Sequence, residues 1–335
     1  MQMRILTLHP SLRFVAIIAS APWIGIGAPA SAQSASPSET AWHDSSPHQI
    51  GFAGPAKRRV QFLDWGGHGP TLVLIHGWNS NAHVFDGLAP RFTDRFHVVG
   101  LTLPGFGASD PPGPGYAIDT AVDAIVDALD SLGITRASFA GHSFGGWILT
   151  RMAIRHPARV DRLIYLDAAF NLAASDRNVA ARPVARPSTD GLRTRADVIE
   201  WLHRAFFGFW TSALEAEYRG RSPDEDQRAA LLKSISADAE QAPEEWDQIQ
   251  VPVLAICALA DVPSEFPWLT RGDSAYGVSR RYVEAVRRPF QHAECERFHR
   301  TVPNAQTLEV AGHHYIFEAK PDEVTRAIRA FLLGR

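Results

Sequence analysis

The chain has 335 residues, with 33 Lys and Arg against 36 Asp and Glu, and a formal net charge of −3. Near-balanced charge without a basic cluster gives no support to nucleic-acid binding. Two cysteines, Cys257 and Cys295, are too few to imply a disulfide framework. They could pair in an oxidising compartment, but Cys257 falls in a predicted buried strand, and two free, packed thiols are expected.

Residues 1–32 read as a secretory signal. Arg4 and Arg13 are their only charges, residues 14–26 are mostly apolar, and Ala30-Ser31-Ala32 offers a cleavage site before Gln33. Pro22 and Gly25 interrupt the apolar run, so no stable membrane span is expected after cleavage. A secreted or periplasmic location follows as an expectation. Removal of this segment leaves enough chain for one large α/β domain with an insertion. Residues 33–54 are rich in Ser, Pro and Ala, and are expected to be a flexible lead-in.

Ordered structure is expected to begin near residues 59–65 (RVQFLDW), an alternating strand. The Gly- and Pro-containing residues 66–70 break it before residues 71–75 (TLVLI), which read as a fully buried strand. The two strands look like a hairpin feeding a parallel sheet. After His76-Gly77-Trp78, residues 82–92 have helical spacing, and residues 96–101 (FHVVGL) read as another buried strand. Residues 111–115 (PPGPG) form a stiff loop. Apolar positions Ala121, Ile125, Ala128, Leu129 and Leu132 then define an amphipathic helix over 118–132.

Residues 137–140 form a short apolar strand that runs into Gly141-His142-Ser143-Phe144-Gly145, and a helical pattern leaves through Trp147, Ile148, Leu149 and Met152. This is G-x-S-x-G in its strand–turn–helix setting, which lifts a serine hydroxyl off a sheet and places it at a helix N-terminus. Residues 162–166 (RLIYL) form the next strand, ending at Asp167.

From residue 168 to about 250 the strand rhythm stops. Residues 182–190 are irregular, while 195–214 and 224–239 read as helices. The first of these helices carries Trp201, Phe206, Phe207, Phe209 and Trp210. As a group, Trp201, Phe206, Phe207 and Trp210 suit a lid over an apolar pocket. Strands at 251–256 and 307–310, a helix around 282–286 and a last helix at 322–333 follow.

Strand–helix alternation with continuous apolar strands predicts an α/β fold: a mostly parallel, doubly wound sheet with helices on both faces. The core is expected over 55–168 and 250–335, with a helical lid or cap insertion at 169–249. Functional groups in such sheets collect at the carboxyl ends of the strands. His76-Gly77, Ser143, Asp261 and His314 stand at such ends.

A serine hydroxyl needs a base within hydrogen-bond reach and a group to orient that base. His313 and His314, in GHHYIFEAKP, follow the last predicted strand. Five motifs now appear in order: H-G-W at 76–78, P-G-F-G-A-S at 104–109, G-H-S-F-G-G at 141–146, V-P-V-L-A-I with Asp261 following, and the histidine loop. Together they resemble the α/β-hydrolase family over nearly all of the expected mature chain.

The resemblance implies Ser143 as nucleophile, Asp261 as acid and His314 as base, in the family's chain order. His314 lies seven residues before Pro321 and is preferred to His313. Asp167, at a strand end, is the alternative acid. Backbone N–H groups of Trp78 and Phe144 would form the oxyanion hole, and His76 and His142 would be structural.

The loop preceding Pro104 carries Thr102 where many relatives have Asp, a position that usually supports structure. Serine at the elbow, where related dehalogenases carry aspartate, favours acyl transfer on a small, apolar, ester-like molecule. A perhydrolase or carbon–carbon hydrolase using the same triad is the enzymatic alternative, and a ligand-binding protein on the same scaffold the non-enzymatic one. No cofactor is expected, and no metal: His292 and His299 flank Cys295 and Glu296 without a convincing ligand set.

Overall fold

The computed structural model describes residues 45–112, 117–221 and 244–334. The expected signal segment, most of the lead-in and the 224–239 helix lie outside the described residues, as does part of the 111–115 loop. Eight strands form one sheet: β1 (Gln49–Ala53), β2 (Val60–Gly66), β3 (Thr71–Ile75), β4 (His97–Leu101), β5 (Ala137–His142), β6 (Val160–Leu166), β7 (Val253–Leu259) and β8 (Ala305–Ala311). Their order is β1-β2-β4-β3-β5-β6-β7-β8. Only the β1–β2 and β2–β4 pairs are antiparallel.

Two expectations about the N-terminal end change. Residues 49–53 are a strand, not part of a flexible lead-in; on an exposed edge their alternation carries little apolar signal, with Ile50 and Phe52 facing outward. The β2 and β3 strands do not form a hairpin, because β4 lies between them and pairs with both. A buried, both-faces-apolar strand such as β3 gains more between two parallel neighbours than at a hairpin edge.

The sheet separates two packed layers. In β3 alternate side chains serve opposite faces. Val73 and Ile75 join a cluster with Ile125 and Leu129 of α1 (Ile118–Ser131) and Ile148 and Leu149 of α2 (Phe144–Arg155). Leu72 and Leu74 pack on the other side, in a cluster with Phe85, Phe92, Ile328 and Phe331. The 82–92 segment is two short 3₁₀ turns, Ala82–Phe85 and Ala89–Phe92, the second opened by Pro90.

Between β6 and β7 the chain makes α3 (Leu172–Ala180), α4 (Arg195–Trp201) and α5 (Ser212–Arg219). The helix expected over 195–214 is therefore interrupted. It widens to a π-helical turn at Leu202–Phe207, then stops at Gly208, whose φ of 73° favours glycine. Thr211 restarts the chain by capping α5, accepting from the Leu214 amide. After β7 come α6 (Val262–Glu265), α7 (Tyr276–Tyr282), α8 (Arg288–Thr301), α9 (Ile316–Ala319) and α10 (Pro321–Leu332).

Cys257 of β7 and Cys295 of α8 are joined by a disulfide, with Cα atoms 6.2 Å apart, contrary to the expectation of free thiols. Sequence pattern locates Cys257 in a buried strand but cannot say that Cys295 packs against it. The bond closes 38 residues, for which chain-entropy reasoning gives roughly 4 kcal/mol of stabilisation. The Cys257→Ala/Cys295→Ala variant is expected to lose ~2–4 kcal/mol in denaturant unfolding, and the oxidised wild type to fall to the same level on reduction.

The α9 helix touches α5 through a half-buried acid. Thr211 donates to the Glu318 carboxylate at 2.7 Å. Burial, with Asp86 and Glu217 adding repulsion, pushes Glu318 up to about 7. A carboxyl raised in the folded state favours folding below its unfolded value, and that contribution disappears as pH rises through about 7. Glu318→Gln is therefore expected to stabilise the protein more at pH 8 than at pH 5, by up to ~3 kcal/mol, as thermal melts at the two pH values will read out.

Candidate active site

Ser143 sits between β5 and α2 at φ 52° and ψ −120°, a backbone conformation that costs a non-glycine residue energy and persists only when its surroundings enforce it. Its surroundings are two close backbone approaches. A Cβ on Gly145 would lie 2.6 Å from the Ile75 carbonyl oxygen. One on Gly77 would lie 3.0 Å from the Ser143 Cβ and 2.9 Å from His142 Nδ1. Glycine at these positions lets the 76–78 loop and the first turn of α2 close around the serine. Ser143 makes no side-chain cap bond to its own helix.

The same closure brings together the side chains of the two residues expected to supply the oxyanion donors. The Trp78 and Phe144 rings meet edge to face at 5.6 Å. Phe144 opens α2, where the first N–H groups have no partner within the helix. Among the described residues, neither Trp78 nor Phe144 donates its N–H to a loop or turn carbonyl. His76 holds the loop, with Nδ1–H donating to the Gly77 carbonyl at 2.7 Å and Nε2 accepting from the Leu103 amide at 2.9 Å. Complete burial depresses it to about 4, so it remains a neutral brace.

The two histidines after β8 have different fates. His313 spends both ring nitrogens on backbone: Nδ1 accepts from the Tyr315 amide at 3.0 Å, and Nε2–H donates to the Phe206 carbonyl at 3.1 Å. Burial, reinforced by the neighbouring His314, takes it down to about 3. It cannot act as a base without breaking those bonds. His314 instead directs Nδ1–H to a carboxylate at 2.6 Å and leaves Nε2 for other chemistry. Its loop is fastened beside the elbow, since His142 Nε2–H donates to the His314 carbonyl at 3.2 Å and the two rings lie 4.6 Å apart. No hydrogen bond joins the Ser143 hydroxyl to His314 among the described residues; such contacts are often long before substrate binds.

The carboxylate on His314 belongs to Asp167, not to the expected Asp261. Asp167 ends β6, the strand beside β5, and its other oxygen accepts from the Ala258 amide at 2.9 Å. Asp261 lies beyond the level of the site. Strand β7 continues past its pairing with β6 and runs alongside β8 as far as Leu259. The Asp261 carboxylate then caps α6, accepting from the Ser264 amide at 2.8 Å. Both aspartates follow a strand, Asp167 by one residue and Asp261 by two, and the two strands are equally long; the register between them, which carries β7 three residues past Leu166, decided which one meets His314.

Of the expected pocket aromatics only Phe206 reaches the cavity beside His314. That cavity is lined by Asp167, Phe170, Phe206, Cys257 and His314, among others. Phe207 is buried against His313 and Tyr315. Trp201 donates to the Pro187 carbonyl and Trp210 to Glu215. These three are packing residues.

His292 does not pair with Cys295 or Glu296 in a ligand set, because Cys295 is in the disulfide and His292 bonds Glu309 at 2.6 Å. A group the sequence reading missed is His48, His83 and Asp86, whose nitrogen and oxygen atoms lie within 4.8 Å of one another and could hold a metal ion. Each histidine Nδ1 sits 3.0 Å from a different Asp86 oxygen, and the His83 contact is a hydrogen bond.

The fold and this site define a class. The sequence matches the alpha/beta hydrolase family over residues 72–327, and the chain belongs to that family. It is 40% identical to a pimeloyl-[acyl-carrier protein] methyl ester esterase of Shewanella sp. (strain MR-7) over 111 residues, 33% of this chain and 39% of that protein. It is 28% identical to the protein of the same description from Nitrosomonas europaea over 217 residues, 58% of this chain and 79% of that one. Among solved structures, E-2-(acetamidomethylene)succinate hydrolase is similar at a TM-score of 0.63 and 18% identity, over 85% of this chain and 99% of that one, a likeness of fold.

If Asp167 alone orients the base, the strongly deshielded proton of a His314 Nδ1–H bond to carboxylate should vanish from the NMR spectrum of Asp167→Asn. The same proton should survive in Asp261→Asn; the reverse pattern would contradict the assignment.

Proposed function

We propose that this protein is a serine hydrolase of small carboxylic esters, working through an acyl-enzyme. The observation that carries the proposal is a serine held at positive φ on a strand–helix elbow, with a histidine–aspartate pair fixed alongside by the 142–314 contact. Esterase-named relatives add support.

In this reading the Ser143 hydroxyl attacks the acyl carbon while His314 Nε2 takes its proton. Asp167 stabilises the imidazolium and fixes the tautomer. The carbonyl oxygen, now negative, receives the Trp78 and Phe144 N–H groups, each worth roughly 3 kcal/mol to the transition state. The imidazolium returns its proton to the departing alcohol. Water then repeats the sequence on the acyl-serine, releasing the acid and free Ser143.

The helices between β6 and β7 would serve as a lid over the site, fastened by the His313–Phe206 bond. An exported location is part of the same proposal. Its support is the N-terminal pattern and a disulfide of a kind that persists in oxidising compartments.

A fluorophosphonate probe is expected to label the wild type at Ser143 and to fail on Ser143→Ala, which should also lose p-nitrophenyl ester turnover. Asp167→Asn is expected to lower kcat by ~10³–10⁴-fold through the wrong tautomer, whereas Asp261→Asn should stay within about threefold, since its carboxylate caps α6 and does not bond His314. Retained turnover in Ser143→Ala would refute the mechanism.

A further inference from the structure

The acid that meets His314 stands on strained backbone. Asp167 lies at φ 45°, a left-handed conformation that a residue with a Cβ keeps only when its neighbours impose it. Two residues of β7 do so. The Asp167 N–H donates to the Ile256 carbonyl at 2.7 Å, and its carboxylate accepts from the Ala258 amide at 2.9 Å. Between those two residues is Cys257.

At this height β7 has outrun one of its two neighbours. Its register with β6 ends at Leu166 and Ile256, while residues 257–259 are in register with β8 alone. Further hold comes from one face of α8, through residues 288, 291 and 295, spaced three and four apart. Cys295 bonds Cys257, Gln291 Oε1 accepts from the Ala260 amide at 2.8 Å, and Arg288 Nε donates to the Ala260 carbonyl at 3.0 Å. The same helix reaches the chain beyond the acid, since Glu294 accepts from the Asn171 amide at 2.6 Å.

We propose that the Cys257–Cys295 disulfide and Gln291 are positioning groups. They fix the end of β7, and through the Ala258 amide they set the Asp167 carboxylate against His314, so that the oxidised protein is the competent hydrolase. This deepens the hydrolase reading and rests on it for the rate, though not for the Asp167–His314 bond. A small dithiol supplies the two electrons and two protons that cleave the S–S bond, leaving thiols at 257 and 295 and departing as its own cyclic disulfide. Cys257 lines the cavity beside His314, which gives such a reagent its approach.

The test compares the oxidised protein with the same protein reduced by dithiothreitol, and with Cys257→Ala/Cys295→Ala, Gln291→Met and Gln291→Glu. Each form is measured well below its own melting midpoint, so that lost stability does not enter the rate. Reduction and the double substitution should lower kcat for p-nitrophenyl butyrate by ~10–100-fold, the range of a hydrogen bond to a charged group, and Gln291→Met by ~3–10-fold, that of a neutral one. KM should stay within about twofold, because the loss falls on the transition state. In the same samples the deshielded His314 Nδ1 proton should broaden or move upfield. Reoxidation should restore both rate and proton. Gln291→Glu, which keeps an acceptor for the Ala260 amide, should recover most of what Gln291→Met loses.

A reduced, folded protein with unchanged kcat would overturn the positioning role while sparing the hydrolase, and so would a slower one whose His314 proton has not moved. A proton that responds to reduction and to Gln291→Met, in a protein that neither takes a fluorophosphonate nor turns over esters, would uphold the positioning role and sink the hydrolase.

Discussion

The bond between His314 and Asp167 is the constraint on which the site depends. At 2.6 Å it fixes one imidazole tautomer and leaves the other ring nitrogen for proton transfer in the proposed reaction. It can form because β5 and β6 end level while β7 and β8 run on beyond them. Residue 142 of β5 is in register with 166 of β6, and β7 overshoots both before β8 delivers the histidine loop. The side chains come from residues far apart in the chain, and the sheet register brings them to one edge.

Around that bond the chain spends much of its polar chemistry on immobilising the neighbours. Four histidines crowd the region, and three are made structural by their hydrogen bonds. His76 braces the 76–78 loop, His142 holds the 314 carbonyl, and His313 ties the histidine loop to Phe206. Burial lowers all three, so they stay neutral through the physiological range. The result is a site in which one histidine is left for proton transfer. The π-helical turn at 202–207 belongs to the same scheme, since it presents the Phe206 carbonyl to His313 and the Phe206 ring to the arginine-lined cavity.

The lining of the cavity beside His314 differs from what the helical segment suggested. Aromatic residues in the helical segment suggested an apolar lid, and Phe207, Trp201 and Trp210 are instead consumed by packing and by hydrogen bonds within the segment. The charged residues that reach the cavity come from an irregular, proline-containing stretch and from the turn before α8, where no periodic pattern marks them out. Cys257 lines the same cavity, so the disulfide to α8 also steadies the wall that carries Arg287.

The sequence by itself determined the alternation of strands and helices, the serine elbow, the small residues that allow it, and the choice of two histidines and two aspartates. Those features are local: apolar period, glycine at a forced turn, and residue type at a strand end are all readable within a dozen positions. Only the tertiary structure decided that β4 separates β2 from β3, that Asp167 and not Asp261 meets His314, and that Cys257 meets Cys295. Each of those is a matter of which strand lies beside which and how far it extends. Such facts are set by the summed packing of distant segments, and no single stretch of chain carries them.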